Sequence, residues 1–245
     1  MPDFTLGQFN VVLFDLDSTI LDTGNYASRA SEWILCQSTE HWSSILEDFM
    51  MTLVTMYHHE IAEIAQGGQF KRPSECVRSA LISALAKFDI EPVDQILREG
   101  IDMFRRLHIE YARPTDGLVD VLECLQNNGT KMAVITNTFQ GNARAILKNL
   151  DIEHYFSVIA DSSDYNAFKP MPEPFEFAMM KLDVTKENAL YVGDEFYADV
   201  VGAARAGLSV VWINNREDSL KENLEKYGVR PTFIINSFSE LKELI

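Results

Sequence analysis

Apolar positions fall into two distinct patterns along the chain. Val11-Val12-Leu13-Phe14 is an unbroken apolar run, which predicts a strand buried on both faces, as in a parallel sheet. It stops on Asp15 and Asp17, with Leu16 between them, and Ser18-Thr19 follow. From Asp22 to about Arg113 strand-like runs almost vanish and helical spacing takes over. Tyr26, Ala30, Trp33 and Ile34 mark one helix face, and Ile45, Phe49, Leu53, Met56 and Ile61 a second. Gly67-Gly68 breaks that helix. Pro73-Ser74 opens a third, carrying Val77, Leu81 and Leu85. Pro92 opens a fourth, with Ile96, Ile101, Phe104 and Leu107.

After Pro114 strands and helices alternate. Helices are predicted over 118–125, ended by Asn127-Asn128-Gly129, then over 143–150, 172–182, 197–206 and 239–244. Strands are predicted over 132–135, 156–159, 189–192, 210–213 and 233–235. Residues 1–10 read as a lead-in to the first strand. Such alternation predicts an α/β fold with a doubly wound, Rossmann-like parallel sheet. The division expected is a core of 1–21 and 113–245 with a helical cap inserted at 22–112.

With 245 residues and 47% apolar content, the chain can bury a large core. Lys plus Arg total 21 against 37 Asp plus Glu, a net charge of -16, which argues against nucleic acid or an anionic membrane as partner. Cys36, Cys76 and Cys124 are odd in number and lie far apart, so neither a disulfide framework nor a zinc site is implied. No basic-then-apolar leader and no apolar run of ~20 residues is visible, so a cytoplasmic protein is expected. His59 and Glu63 have metal-ligand spacing beside His58, but no third ligand accompanies them, and solvent-facing side chains are the simpler reading.

Candidate chemistry sits at the predicted strand ends. Asp15 and Asp17 close the first strand, Thr136-Asn137 the second, and Gly193-Asp194 a later one. Lys169-Pro170 precede a Pro-led helix. A parallel sheet gathers such ends on one edge, where ligands bind. Crowded carboxylates repel unless a cation sits among them, and hard oxygen donors suit Mg²⁺. Lys169 offers a point charge for an anion, and Thr136 a hydroxyl. A phosphoryl group fits that mixture. Gly193 is expected to permit a sharp turn. Asp199 is expected to cap the next helix or stand behind a metal. Glu195 is placed either at the metal edge or in solvent.

Together these segments resemble the haloacid dehalogenase superfamily of hydrolases. Asp15-Leu16-Asp17-Ser18-Thr19 resembles its D-x-D-x-T motif, with Ser18 where Gly is frequent. Thr136-Asn137 resembles the second motif, Lys169-Pro170 the third, and Gly193-Asp194 with Asp199 the fourth. The helical insert resembles the family's cap. The resemblance implies a phosphomonoesterase for a small phosphorylated substrate. Asp15 would be the nucleophile, forming an aspartyl phosphate, and Asp17 the general acid/base. Thr136, Ser18, Asn137 and Lys169 would hold the phosphoryl group. Mg²⁺ would sit on Asp15, the Asp17 backbone carbonyl and Asp194, with Asp199 behind. The dehalogenase branch lacks an acid at the Asp17 position, because a halide needs no proton. A phosphomutase acting on a sugar phosphate and a non-catalytic phosphate-binding regulator are the alternatives. Arg72, Arg78, Arg105, Arg106 and Tyr57 are candidates for contact with the leaving group. No G-x-G-x-x-G follows the first strand, which disfavours dinucleotide binding.

Overall fold

The computed structural model describes residues 6–245. Six parallel strands form one sheet: β1 (Val11–Phe14), β4 (Lys131–Thr136), β5 (Val158–Asp161), β6 (Ala189–Gly193), β7 (Ser209–Ile213) and β8 (Phe233–Ile235). Their spatial order is β5-β4-β1-β6-β7-β8. The chain therefore winds outward from β1 in both directions, the doubly wound arrangement, with the switch point beside β1. The short strands β2 (Leu21–Asp22) and β3 (Arg113–Pro114) pair antiparallel.

Alternation along β1 builds two cores. Val12 and Phe14 face a layer with Leu122, Ile146 and Phe238, while Val11 and Leu13 face Phe175, Met179 and Trp212. The first layer is supplied by α5 (Leu118–Asn127), α6 (Asn142–Asn149) and a 3₁₀ segment at Phe238–Leu244. The second comes from α8 (Glu173–Leu182) and a turn of π-helix at Phe196–Val201. Every residue of β1 is buried, which explains its unbroken apolar run.

Between β2 and β3 the chain forms α1 (Tyr26–Ser38), α2 (Trp42–Ala65), α3 (Pro73–Lys87) and α4 (Asp94–Tyr111). They share a core around Ile34, Phe49, Leu81, Leu85 and Phe104, and Phe139 of the sheet portion joins it. Helices α1 and α4 lie so close that a Cβ on Gly100 would stand 2.5 Å from Ile34 side-chain carbons. Among the described residues no helix is long and apolar enough to cross a membrane.

Several boundaries differ from the sequence expectations. The helix expected over 197–206 is a π turn followed by α9 (Gly202–Arg205). The strand expected over 156–159 runs Val158–Asp161, and Phe156 packs into the core from a loop. Asp161 then caps α7 (Ser162–Tyr165), whose four residues are too few to show periodicity. The helix expected over 239–244 is 3₁₀. Helix α10 (Leu220–Tyr227) is absent from the sequence expectations: it spans eight residues, its apolar face is limited to Leu220, Leu224 and Tyr227, and none of these is fully buried. Of the expected lead-in, Leu6–Gln8 is a 3₁₀ turn and residues 1–5 lie outside the described residues.

Candidate active site

The carboxyl ends of β4, β1 and β6 are neighbours at the switch point, and they deliver Thr136, Asp15 and Asp194 to one place. Asp15, Asp194 and Asp199 each place a carboxylate oxygen within 4.8 Å of the others, and all three are buried. Lys169 enters from the segment before α8. Its Nζ bonds to Asp15 Oδ1, to Asp199 Oδ1 at 2.8 Å and to the Tyr191 hydroxyl at 2.9 Å. Tyr191 in turn donates to Asp199 Oδ1 at 2.9 Å, and the Glu195 backbone N–H donates to Asp199 Oδ2 at 2.9 Å. Both Asp199 oxygens are thus engaged by protein donors. Asp15 and Asp194 line the same cavity beside it.

Asp194 is held from three sides. Thr19 Oγ1 donates to Oδ1 at 3.2 Å, Arg216 to Oδ2 at 2.6 Å, and Trp212 Nε1 to its backbone carbonyl at 2.9 Å. Burial, with Asp199 adding to it, raises the Asp194 carboxyl to about 7, and Arg216 pulls the other way. Burial also pushes Asp15 well above the ordinary carboxylate range, against the pull of Lys169. For Lys169, burial alone would lower the ammonium; the Asp15 and Asp199 carboxylates outweigh it and hold the group well above its usual value. Asp15 and Asp194 are therefore short of positive charge even with Lys169 and Arg216 in place. A hard divalent cation with oxygen ligands fits that deficit.

Gly193 does not turn the chain as expected. It is the last residue of β6, and its φ lies outside the left-handed region. Its role is space: a Cβ there would collide with the Asp199 carboxyl group. Gly193→Ala is expected to cost about 1–3 kcal/mol by overpacking, read as a lowered Tm. Ser18, by contrast, has φ +60°. That left-handed turn favours glycine, which supplies the physical reason Gly is frequent at this position of the motif.

Asn137 bonds within the protein through both ends of its amide. Its Nδ2 donates to the Lys169 carbonyl at 3.0 Å and its Oδ1 accepts the Lys169 N–H at 2.9 Å. It thereby fixes the Lys169 segment to the end of β4 and keeps one amide hydrogen for a ligand. Thr136 Oγ1 accepts the Thr138 N–H at 3.2 Å, and its hydroxyl hydrogen remains free to donate.

Asp17 turns toward the helical insert, where fully buried His108 of α4 meets it, Nε2 to Oδ1, at 2.7 Å. Asn142 Nδ2 donates to the Arg105 carbonyl at 3.0 Å and lies 3.1 Å from His108 Nδ1. The Arg105 contact fixes the amide orientation, so Nδ1 accepts and the ring hydrogen sits on Nε2, facing Asp17. Sequence reasoning alone reaches neither His108 nor Arg216, Tyr191 or Asn142. For His108 a signal is present: it lies in phase with Ile101 and Phe104 on the buried face of α4.

A cavity of about 290 Å³ opens over these groups. Asp15, Asp17, Ser18, Thr136, Lys169 and Asp194 line its floor, along with Asn137 and Asp199. Of the five leaving-group candidates, Tyr57 lines it and the four arginines do not. Arg78 instead pairs with Asp94 on the surface, and Arg106 contacts Met103. His58 reaches the cavity, whereas His59 and Glu63 stand 3.8 Å apart in solvent.

The sequence profile of the haloacid dehalogenase-like hydrolase family matches residues 12–213, so the chain belongs to that family. Among curated relatives, the pyrophosphatase PpaX of Halalkalibacterium halodurans is 24% identical over 241 residues, covering 97% of each chain. Magnesium-bound HAD-hydrolase YfnB from Bacillus subtilis superposes with TM-score 0.78 at 22% identity, over 96% of this chain and 97% of that one. The L-2-haloacid dehalogenase of Xanthobacter autotrophicus superposes with TM-score 0.71 at 17% identity, over 96% and 98%. At these identities the superpositions speak for the fold alone.

Proposed function

We propose that the chain is a Mg²⁺-dependent phosphomonoesterase acting on a small phosphorylated metabolite. The observation that carries this reading is the second carboxylate, Asp17, in a cavity whose floor also holds Asp15, Lys169 and Thr136. An alkoxide leaving group needs a proton and a halide does not, so an acid in this position favours phosphate esters over haloacids.

Asp15 attacks phosphorus while the bond to the leaving oxygen breaks and Asp17 gives that oxygen its proton. The product is an aspartyl phosphate. Asp17, now a carboxylate, takes a proton from water; the water oxygen bonds to phosphorus and the Asp15–phosphorus bond breaks, freeing phosphate and Asp15. Lys169 secures one Asp15 oxygen and offsets the charge of the phosphoryl group, and Thr136 donates its hydroxyl to that group. Asp15, Asp194 and the Asp17 backbone carbonyl would hold Mg²⁺, which supplies charge stabilisation and alignment when bound. Asp199 stands behind, keeping Lys169 in place.

With Mg²⁺ present the protein is expected to release phosphate from p-nitrophenyl phosphate and no chloride from 2-chloropropionate. The reverse result would reject the reading. His108 bears on the same step by orienting Asp17. His108→Leu is expected to slow phosphate release from alkyl esters by about 10-fold or more. The loss should be smaller for p-nitrophenyl phosphate, whose leaving group needs little protonation. His108→Gln, which keeps a donor, should recover part of it.

A further inference from the structure

The roof of the cavity differs in kind from its floor. Residues of the helical insert that line it include Met50, Leu53, Val54, Tyr57, Val77 and Phe104, and Phe139 joins them from the loop after β4. The cationic side chains in the lining are Lys169 and Arg216, apart from the imidazole of His58. Lys169 is engaged by Asp15 and Asp199, and Arg216 by Asp194. Five acids share the same lining: Asp15, Asp17, Asp194, Glu195 and Asp199. Among the described residues, no Lys or Arg of the helical insert reaches it.

We infer that the leaving group is uncharged and carries an apolar or aromatic body, and that inorganic pyrophosphate and carboxylate-bearing esters are poor substrates. This rests on the phosphomonoesterase reading above and adds the substrate class to it. A second phosphate or a carboxylate entering the roof would lose its hydration against methionine, leucine, valine and aromatic side chains, with the His58 imidazole as its one basic neighbour from the insert and no Lys or Arg of the insert to receive it. An aryl or alkyl group instead removes apolar surface from water on both sides of the contact. The cavity volume, about 290 Å³, lies at the small end of ligand pockets, which suits a metabolite-sized ester.

The test compares benzyl phosphate with 2-phosphoglycolate and pyrophosphate under Mg²⁺. Benzyl and glycolate leaving groups are both primary alkoxides, so their comparison reports on the roof more than on intrinsic reactivity. The expected result is kcat/KM at least tenfold higher for benzyl phosphate than for either anion-bearing substrate. Val54 is 46% exposed, so Val54→Lys brings a cation to the roof without burying one. It should narrow that ratio several-fold by raising turnover of phosphoglycolate. Equal or higher kcat/KM for phosphoglycolate or pyrophosphate would overturn the substrate class and leave the phosphatase reading standing. Should no ester release phosphate, the phosphatase reading fails, and binding decides the rest. Benzylphosphonate raising Tm more than phosphonoacetate would uphold the apolar preference, and the opposite order would overturn it.

Discussion

Asp15→Asn is expected to lower phosphate release by roughly 10³-fold or more, the scale seen when a covalent nucleophile is removed. An amide oxygen cannot form the acyl phosphate under these conditions, so the loss should fall in kcat. The fold should survive. The new amide oxygen can still accept from Lys169, and Lys169 keeps Asp199 at 2.8 Å and Tyr191 at 2.9 Å as partners. Phosphate release and thermal unfolding measured on the same preparation separate lost chemistry from lost structure. Full activity in a folded Asp15→Asn protein would remove Asp15 from the reaction.

Adding Mg²⁺ to protein stripped with EDTA should raise Tm. At a hundredfold excess over Kd the ion contributes about 2.7 kcal/mol, which for a chain of this length is roughly 5–10 °C. The effect should depend on pH in a definite direction. Without a cation the Asp194 carboxyl is raised to about 7, chiefly by burial. Below that pH it carries a proton in the folded protein, and an incoming ion must displace it. Above that pH the carboxylate is already formed. The Mg²⁺-induced rise in Tm should therefore be larger at pH 8 than at pH 6. Asp194→Asn should abolish most of it at both values. An equal shift in wild type and Asp194→Asn would place the ion elsewhere.

The parts of this molecule legible in the sequence are those where a local pattern and the tertiary role coincide. The β1 run is apolar because both faces are covered, and its two acids end it because the strand ends there. Thr136 and Asp194 follow buried runs for the same reason. Asp199 shows where local pattern is insufficient. Its segment reads as one helix over 197–206, yet a π turn at Phe196–Val201 carries its carboxylate to Lys169 and Tyr191. A wider turn spends one extra residue, a choice made by a partner 30 residues away. His108 is similar. An imidazole on a buried helical face is visible as an anomaly, but its partner is 91 residues distant, and nothing local names Asp17. Arg216 lies in a loop after β7, where no periodicity operates.

Strands β2 and β3 pair Leu21 with Pro114 and Asp22 with Arg113. The two ends of the four-helix insert therefore leave and rejoin the sheet portion side by side, like the two legs of a plug. An insertion seated in this way can grow, shrink or be exchanged without altering the register of β1 against its neighbours. The residues at the strand ends and those of the helices above them can then vary separately, with the His108–Asp17 contact as a point at which the two must still agree.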